Sequence, residues 1–254
     1  MNLDSKIFVA GHNGLIGSSI VRKLLKLGYS NILTRDKSQV NLISQEQVRE
    51  LFVSECREYV FLAAASVGSV ENNSILRGEF LYNNLQIESN VINQAYHTHV
   101  KKLLFLGSSS IYSLNSPQPL KEEYLMDGMF EYSTEPDSIA KMTGIKLCEY
   151  YRNQYGCNFI SAVPTNVYGI NDHYSLDRAN VIPSLIRKMH EAKINGLSDV
   201  EIWGVCSTRR EFLFVDDLAD ALFFLMLKQN KSDATFDKQS FLLIPISRCI
   251  AASF

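Results

Sequence analysis

The residues best placed to do chemistry lie in one stretch, Glu135-Pro136-Asp137-Ser138-Ile139-Ala140-Lys141. On a helix, Asp137 and Lys141 share a face one turn apart. Pro136 near the first turn and acids beside the positive helix end mark this stretch as a helix start. A glycine-rich phosphate loop and a serine-rich strand end elsewhere could converge on such a lysine. The useful neighbour one turn before it would be a proton-donating phenol, and the chain has a carboxylate there. Beside Lys141, Asp137 is expected to be held ionised, a poor proton donor at neutral pH.

The elements that must position this stretch alternate between strand and helix. Lys6-Ile7-Phe8-Val9-Ala10 reads as a buried strand, Gly11-His12-Asn13-Gly14-Leu15-Ile16-Gly17 as a glycine loop, and Ser18 to about Leu27 as an amphipathic helix. Glycines let the backbone turn tightly against a pyrophosphate whose charge faces the helix N-terminus, so Gly11, Gly14 and Gly17 are candidate dinucleotide contacts. A second strand, Asn31-Ile32-Leu33-Thr34, runs into Arg35 and Lys37, with Asp36 between them. Basic residues there suit the 2′-phosphate of NADP, whereas an acid would suit NAD.

Further along, Ser44-Gln45-Glu46-Gln47 is a capping box for a helix with Val48, Leu51 and Phe52 inward. Tyr59 to Ala65 is a third strand whose small exit, including Ala63, leaves room for a cofactor. A long helix from about Glu79 to Tyr96 turns Leu81, Leu85, Val91, Ile92 and Ala95 inward. Lys102 to Gly107 is a fourth strand ending in Ser108-Ser109-Ser110. Later expected strands are Asn158–Val163 and Val200–Gly204, with helices at Val181–Lys193 and ending near Lys228. This order implies a doubly wound parallel sheet that binds ligands beyond its C-terminal strand ends. After Gln229–Lys238, the segment from Phe241 reads either as a short final strand or as a tail foreign to the fold; its proline favours the tail.

Composition narrows the partners. The 254 residues are 46% hydrophobic and 20% charged, as in an ordinary globular protein, and a net charge of -2 argues against nucleic acid or an anionic membrane. No apolar run reaches the roughly 20 residues that span a bilayer, and the N-terminus carries no signal-peptide pattern. Cys56, Cys148, Cys157, Cys206 and Cys249 are odd in number and lack CxxC spacing, which implies a reducing cytoplasm, no disulfide framework and no metal site. Cys56 and Cys148 fall in helical patterns and are expected to pack as small apolar side chains.

Six motifs occur in order: Ala-Gly-His-Asn-Gly-Leu-Ile-Gly, Phe-Leu-Ala-Ala-Ala, Lys-Leu-Leu-Phe-Leu-Gly-Ser-Ser, Ile-Ala-Lys, Pro-Thr-Asn-Val-Tyr-Gly and Arg-Arg-Glu-Phe-Leu-Phe-Val-Asp-Asp-Leu-Ala-Asp. Together they resemble the extended short-chain dehydrogenase/reductase superfamily and, within it, the GDP-L-fucose synthase family. The resemblance implies a Rossmann-like domain over residues 1-170, with return elements near 200-228, and a small, shortened substrate lobe with an atypical tail over 171-254. It implies NADP as cofactor, GDP-4-keto-6-deoxy-mannose or a related GDP-sugar as substrate, and a homodimer built on the helices at Glu79–Tyr96 and Ser138–Gln154. The family reaction epimerises C3 and C5 and then reduces C4.

By the same resemblance, Ser108 hydrogen-bonds the substrate oxygen and Lys141 holds the nicotinamide ribose and tunes the catalytic acid. Asn166, Lys188, Trp203 and Arg210 hold the nucleotide-sugar. Four positions depart from the family pattern. Asp137 stands where the family has its proton-donating tyrosine, Ser110 replaces its epimerisation cysteine, and Asn180 replaces the histidine partner of that cysteine. Asn13 replaces a phosphate-side arginine in the glycine loop, a loss for which Lys37 could compensate. The expectation is an epimerase/reductase with impaired activity. The alternatives are a catalytically silent homologue that binds cofactor or acts as a regulatory or dimerisation partner, and a C4 reductase that needs no epimerisation. Tyr112 and Tyr132 are nearby phenols, but neither lies one turn before Lys141.

Overall fold

The computed structural model describes residues 1–55, 57–66, 75–175, 179–202, 209–228, 242–244 and 252–253. Strands β1 (Ile7–Ala10), β2 (Ile32–Leu33), β3 (Tyr59–Leu62), β4 (Lys102–Leu106), β5 (Phe159–Pro164) and β9 (Leu242–Ile244) form one sheet in the order β2-β1-β3-β4-β5-β9. Every pairing is parallel. Strands β1, β4 and β5 are buried along their whole length, as in a sheet covered on both faces.

Side chains alternate across the sheet and feed two cores. Phe8, Val60, Leu62 and Phe105 face one core with Val48, Val91, Ile92, Ile145 and Cys148. These come from helices α2 (Gln45–Glu55), α3 (Arg77–His97) and α4 (Glu135–Tyr155). Ile7, Val9, Phe61 and Leu104 face the other core, with Ile20 and Leu24 of α1 (Leu15–Lys26) and Leu218 and Leu222 of α6 (Val215–Lys228). Cys148 is fully enclosed, and burial pushes its thiol up to about 12, so it packs as a small apolar group. Cys56, Cys206 and Cys249 lie outside the described residues.

The remaining elements are β6 (Asn166–Tyr168), α5 (Val181–Ile194), β7 (Arg209–Arg210), β8 (Phe212–Phe214) and β10 (Ala252–Ser253). Strand β6 pairs in parallel with β8, and β7 pairs with β10 in antiparallel fashion. The sheet runs outward from β1 to β2 and resumes on the other side of β1 with β3. That reversal opens a crevice beyond the C-terminal ends of β1 and β3, where a ligand can enter.

Several expectations need correction. Leu242–Ile244 is no foreign tail: it is the sixth strand of the sheet, with Ala162, Val163 and Pro164 as partners. Val200, Glu201 and Ile202 are not a strand, and Trp203 lies outside the described residues. Helix α1 begins at Leu15 rather than Ser18, because Gly14 already occupies the N-cap position. The capping box of α2 is half made. Ser44 accepts from the Gln47 N–H at 3.4 Å, but the Gln47 side chain accepts from the N–H of Asn41 instead of reaching back to Ser44.

One buried charge ties the second core together. Lys102, only 2% exposed, donates from Nζ to the carbonyls of Leu225 and Met226 at 2.7 and 2.8 Å. These are last-turn carbonyls of α6, which have no partners within their own helix and sit at its negative end. Lys102→Met keeps the apolar stem and strands the carbonyls. It should lower the unfolding free energy by about 1–3 kcal/mol in a urea titration. An unchanged midpoint would show that the contact contributes nothing.

Candidate active site

The loop after β1 is shaped as a pyrophosphate cradle. Gly11 has a φ of +84°, and a Cβ there would lie 2.7 Å from the backbone of Ala64. The loop is therefore seated on the exit of β3, as the small residues Ala63 and Ala64 permit. Gly14 donates its N–H to the Gly11 carbonyl at 3.0 Å and starts α1 with no side-chain cap and no acid in the first turn. Gly17 is buried within that first turn. The open N–H groups of such a helix start favour an anion. The shape and chemistry of the loop fit a dinucleotide, and Gly11, Gly14 and Gly17 lie together in it.

Arg35 and Lys37 follow β2 on the same rim. Lys37 is exposed. Arg35 is half-buried and already engaged: one guanidinium nitrogen donates to the Thr34 carbonyl at 2.9 Å, and another meets Glu55 at 2.8 Å. Glu55 also holds Arg57, at 2.6 Å. This clamp fixes Arg35 at the end of β2. Asp36 turns inward on its own loop, where the Ser38 hydroxyl and the N–H groups of Gln39 and Ser38 hold its carboxyl below the usual range.

The second half of the site lies beyond β4. Ser108 begins a short 3-10 turn at Ser109–Ile111 and accepts from the N–H of Ser110 at 3.3 Å. The Ser110 hydroxyl donates to Ser108 Oγ at 3.0 Å. Ser138, the residue after Asp137, donates its hydroxyl to the Ser110 carbonyl at 2.8 Å, which locks this turn against the start of α4. Ser110 also acts on the Asp137 carboxyl, favouring its charged form. The serine turn after β4 therefore lies against the start of α4, which carries Asp137 and Lys141.

Sequence reasoning missed Glu88. Its carboxyl, on α3, lies 3.1 Å from Lys141 Nζ, and the two residues are only 2% and 7% exposed. Lys141 Nζ also sits 5.0 Å from the ring centre of Phe105. Gly144, one turn along α4, makes room: a Cβ there would lie 2.8 Å from Glu88 Oε2 and 2.7 Å from a Phe105 ring carbon. The signal was available. Glu88 falls between Leu85, Val91 and Ile92 on the inward side of α3, and a charge in such a stripe requires a buried partner.

The electrostatics overturn the expectation for Asp137. Burial raises its carboxyl above the ordinary range, against the opposing pull of Lys141 and Ser110. Glu88 is also raised by burial, with Lys141 opposing. The physical reason is a charge count. Enclosed Glu88 and half-buried Asp137 share one ammonium, so full ionisation would leave a net negative charge largely shielded from water. Glu88 holds the close ion pair, and the charge of Asp137 adds to the effect of burial in raising it.

The other positions are more dispersed. Asn180 is exposed at the start of α5, where its carbonyl accepts from the N–H of Ser184. Asn166 donates from its side chain to the Glu211 carbonyl at 3.1 Å, which braces the edge of the β6–β8 pair. Lys188 Nζ donates to the Glu201 carbonyl at 3.2 Å, and Arg210 is exposed on β7. The two alternative phenols differ in setting. Tyr112 is enclosed in the core, where burial, and secondarily Glu122, push its hydroxyl well up. Tyr132 is exposed under the Arg77 guanidinium, 3.9 Å from its ring centre. A polar hollow lined by Met1, Asn2, Glu58 and Lys101 lies at the opposite, N-terminal edge of the strands. Among the described residues there is no cluster suited to a metal and no helix long and apolar enough to cross a membrane.

Comparison with known proteins places this geometry. The model of the NAD dependent epimerase/dehydratase family matches residues 7–237. A putative GDP-L-fucose synthase 2 of Arabidopsis thaliana is 50% identical over 222 residues, covering 87% of this chain and 68% of that protein. The GDP-L-fucose synthase of Escherichia coli K12 is 43% identical over 221 residues, covering 87% of this chain and 69% of that protein. Among solved structures, a GDP-mannoheptose C4 reductase from Campylobacter jejuni with NADP bound is 33% identical. It superposes with a TM-score of 0.90 over 99% of this chain and 83% of its own.

The raised carboxyls make stability depend on pH in a defined direction. Because both folded-state pKa values lie above the unfolded ones, this contribution is complete below about pH 4 and is lost as pH rises through the raised values. Denaturant midpoints measured from about pH 4 to 8 should therefore fall more steeply for the wild type than for Asp137→Asn. Parallel curves would contradict a raised Asp137.

Proposed function

Because the chain belongs to the NAD dependent epimerase/dehydratase family and, within it, to the GDP-L-fucose synthases, we propose that it is an NADP-dependent enzyme that reduces the C4 ketone of a GDP-4-keto-sugar without epimerising C3 and C5. The observation that carries this reading is the pair of epimerisation positions. Ser110 has a hydroxyl that donates to Ser108 at 3.0 Å, and Asn180 is an exposed amide. Neither group ionises near neutral pH, so neither can take a proton from C3 or C5 and return it to the opposite face. Relative to the whole family reaction the activity is impaired, and the impairment falls on the first half.

The reductive half keeps its binding groups. NADPH supplies the hydride when bound. Gly11, Gly14, Gly17 and the open start of α1 would hold its pyrophosphate, Arg35 and Lys37 its 2′-phosphate, and Ala63 would leave room beside it. Lys141 has three N–H donors and one close carboxylate, which leaves donors for the nicotinamide ribose. Ser108 would orient the ketone oxygen. Asn166, Lys188 and Arg210, with Trp203, would hold the GDP-sugar. A solved relative with C4-reductase chemistry and NADP supports this assignment over a silent homologue.

Incubation with NADP and GDP-4-keto-6-deoxy-mannose in heavy water, followed by proton NMR, should leave C3 and C5 undeuterated. Ser110→Cys combined with Asn180→His should admit deuterium there. Exchange in the wild type would refute the loss of epimerisation. We further propose a homodimer through α3 and α4, where Tyr82, Ile139 and Tyr150 are exposed apolar contacts. Sedimentation should give the dimer mass, and a monomer at micromolar concentration would remove this part of the reading.

A further inference from the structure

We infer that the inner face of α3 positions two separate parts of the cofactor site, with Asn84 acting through the exit of β3 and Glu88 through Lys141. This rests on the cofactor reading above, in which the glycine loop holds the pyrophosphate and Lys141 the nicotinamide ribose. Each α3 residue acts through another group, so both are positioning residues.

Both sit where packing alone would select an apolar side chain. Asn84 and Glu88 lie one turn apart on α3, on the side that also buries Ile87, Val91, Ile92 and Ala95. Asn84 is 1% exposed and Glu88 is 2% exposed. Burying an amide or a carboxylate costs free energy unless it finds a partner, and a well-packed apolar residue would serve stability as well. What the polar residues add is a fixed distance to a partner.

Asn84 closes a two-point clamp on the backbone. Its Oδ1 accepts the Ser66 N–H at 2.6 Å, and its Nδ2 donates to the Ser66 carbonyl at 3.0 Å. Only a side chain with both a donor and an acceptor can satisfy one residue in this way, and an ionised carboxylate cannot. Ser66 directly follows Ala64 and Ala65 in the chain. A Cβ on Gly11 would lie 2.7 Å from both the N and the Cα of Ala64, so the glycine loop is seated on this segment. The Ala63 N–H meets the Ala10 carbonyl at 3.0 Å. The exit of β3 is thus tied to the end of β1 on one side and to α3 on the other. Releasing the α3 tie frees the seat of the loop.

Glu88 does for a side chain what Asn84 does for the backbone. Its Oε1 lies 3.1 Å from Lys141 Nζ. A lysine ammonium rides on a flexible four-carbon stem, and a buried carboxylate selects one of its positions. The absence of a Cβ at Gly144 allows this contact, since one would lie 2.8 Å from Glu88 Oε2. Because the clamp and the ion pair share one helix face, the seat of the pyrophosphate loop and the ammonium are referred to the same rigid element.

Calorimetry on the full chain tests the two arms with two ligands. NADPH carries the whole cofactor; adenosine 2′-phosphate 5′-diphosphate keeps a pyrophosphate and lacks the nicotinamide ribose. Glu88→Gln keeps the shape and removes the charge. It should raise the Kd for NADPH by about 10- to 100-fold, the worth of one hydrogen bond to a charged group, and leave that for the fragment unchanged. In a Lys141→Met background the same change should cost nothing further, because Glu88 acts through the ammonium. Glu88→Asp keeps the charge and should bind NADPH more tightly than Glu88→Gln. Asn84→Asp loses the donor to the Ser66 carbonyl and should weaken NADPH and fragment alike, by about tenfold. Without any cofactor, amide exchange at Ser66 should quicken in Asn84→Ala while the Ala63 amide stays protected. Wild-type affinities in folded Glu88→Gln and Asn84→Asp would overturn the inference and leave the cofactor reading standing. So would a loss of fragment affinity in Glu88→Gln, a further loss in the Lys141→Met background, or unchanged exchange at Ser66. A wild type that binds neither ligand would overturn the cofactor reading and the inference with it.

Discussion

The contact between Glu88 and Lys141 is the constraint on which the site depends. It is an ion pair almost wholly withdrawn from water, joining α3 to α4 at 3.1 Å under the ring of Phe105. Buried charges are costly, and a pair of this kind is weak evidence of stability in itself. Its value here is positional. It fixes the ammonium of Lys141, whose charge acts on both Glu88 and Asp137. With Glu88 in place, two carboxyls share one ammonium, and burial raises both.

The rest of the fold serves this arrangement. The glycine loop leans on the exit of β3 because Gly11 has no side chain. The serine turn after β4 is tied to α4 by the Ser138 hydroxyl. Gly144 lets α3, α4 and β4 approach closely enough for the ion pair to form. Lys102 anchors the far side by holding the end of α6. Each of these is a local choice of residue whose effect is a distance at the site.

Much of this was legible from sequence because parallel α/β folds write themselves as buried strand runs and amphipathic helices in alternation. The strands from Ile7, Tyr59 and Lys102 and the helices through Val48 and Val91 appear where their patterns put them. What could not be read were contacts between remote segments. Asp137 and Lys141 are neighbours on one helix, so their proximity suggested an ionised acid. Burial raises that carboxyl instead, and the packing of α3 on α4 brings Glu88, from a remote segment, to Lys141. The short strand Leu242–Ile244 was misjudged for a similar reason. Three residues have no periodicity to speak of, and their place is decided by the open edge of β5.

The central claim is that this chain retains the reductive half of a two-part reaction and has lost the other. The structure of its product tests this most directly. After complete conversion of GDP-4-keto-6-deoxy-mannose with NADPH, NMR coupling constants of the released sugar report the configuration at C3, C4 and C5. A C4 alcohol with the substrate's original C3 and C5 configuration is predicted. An L-fucose configuration would show that epimerisation proceeds without a cysteine and histidine and would contradict the account.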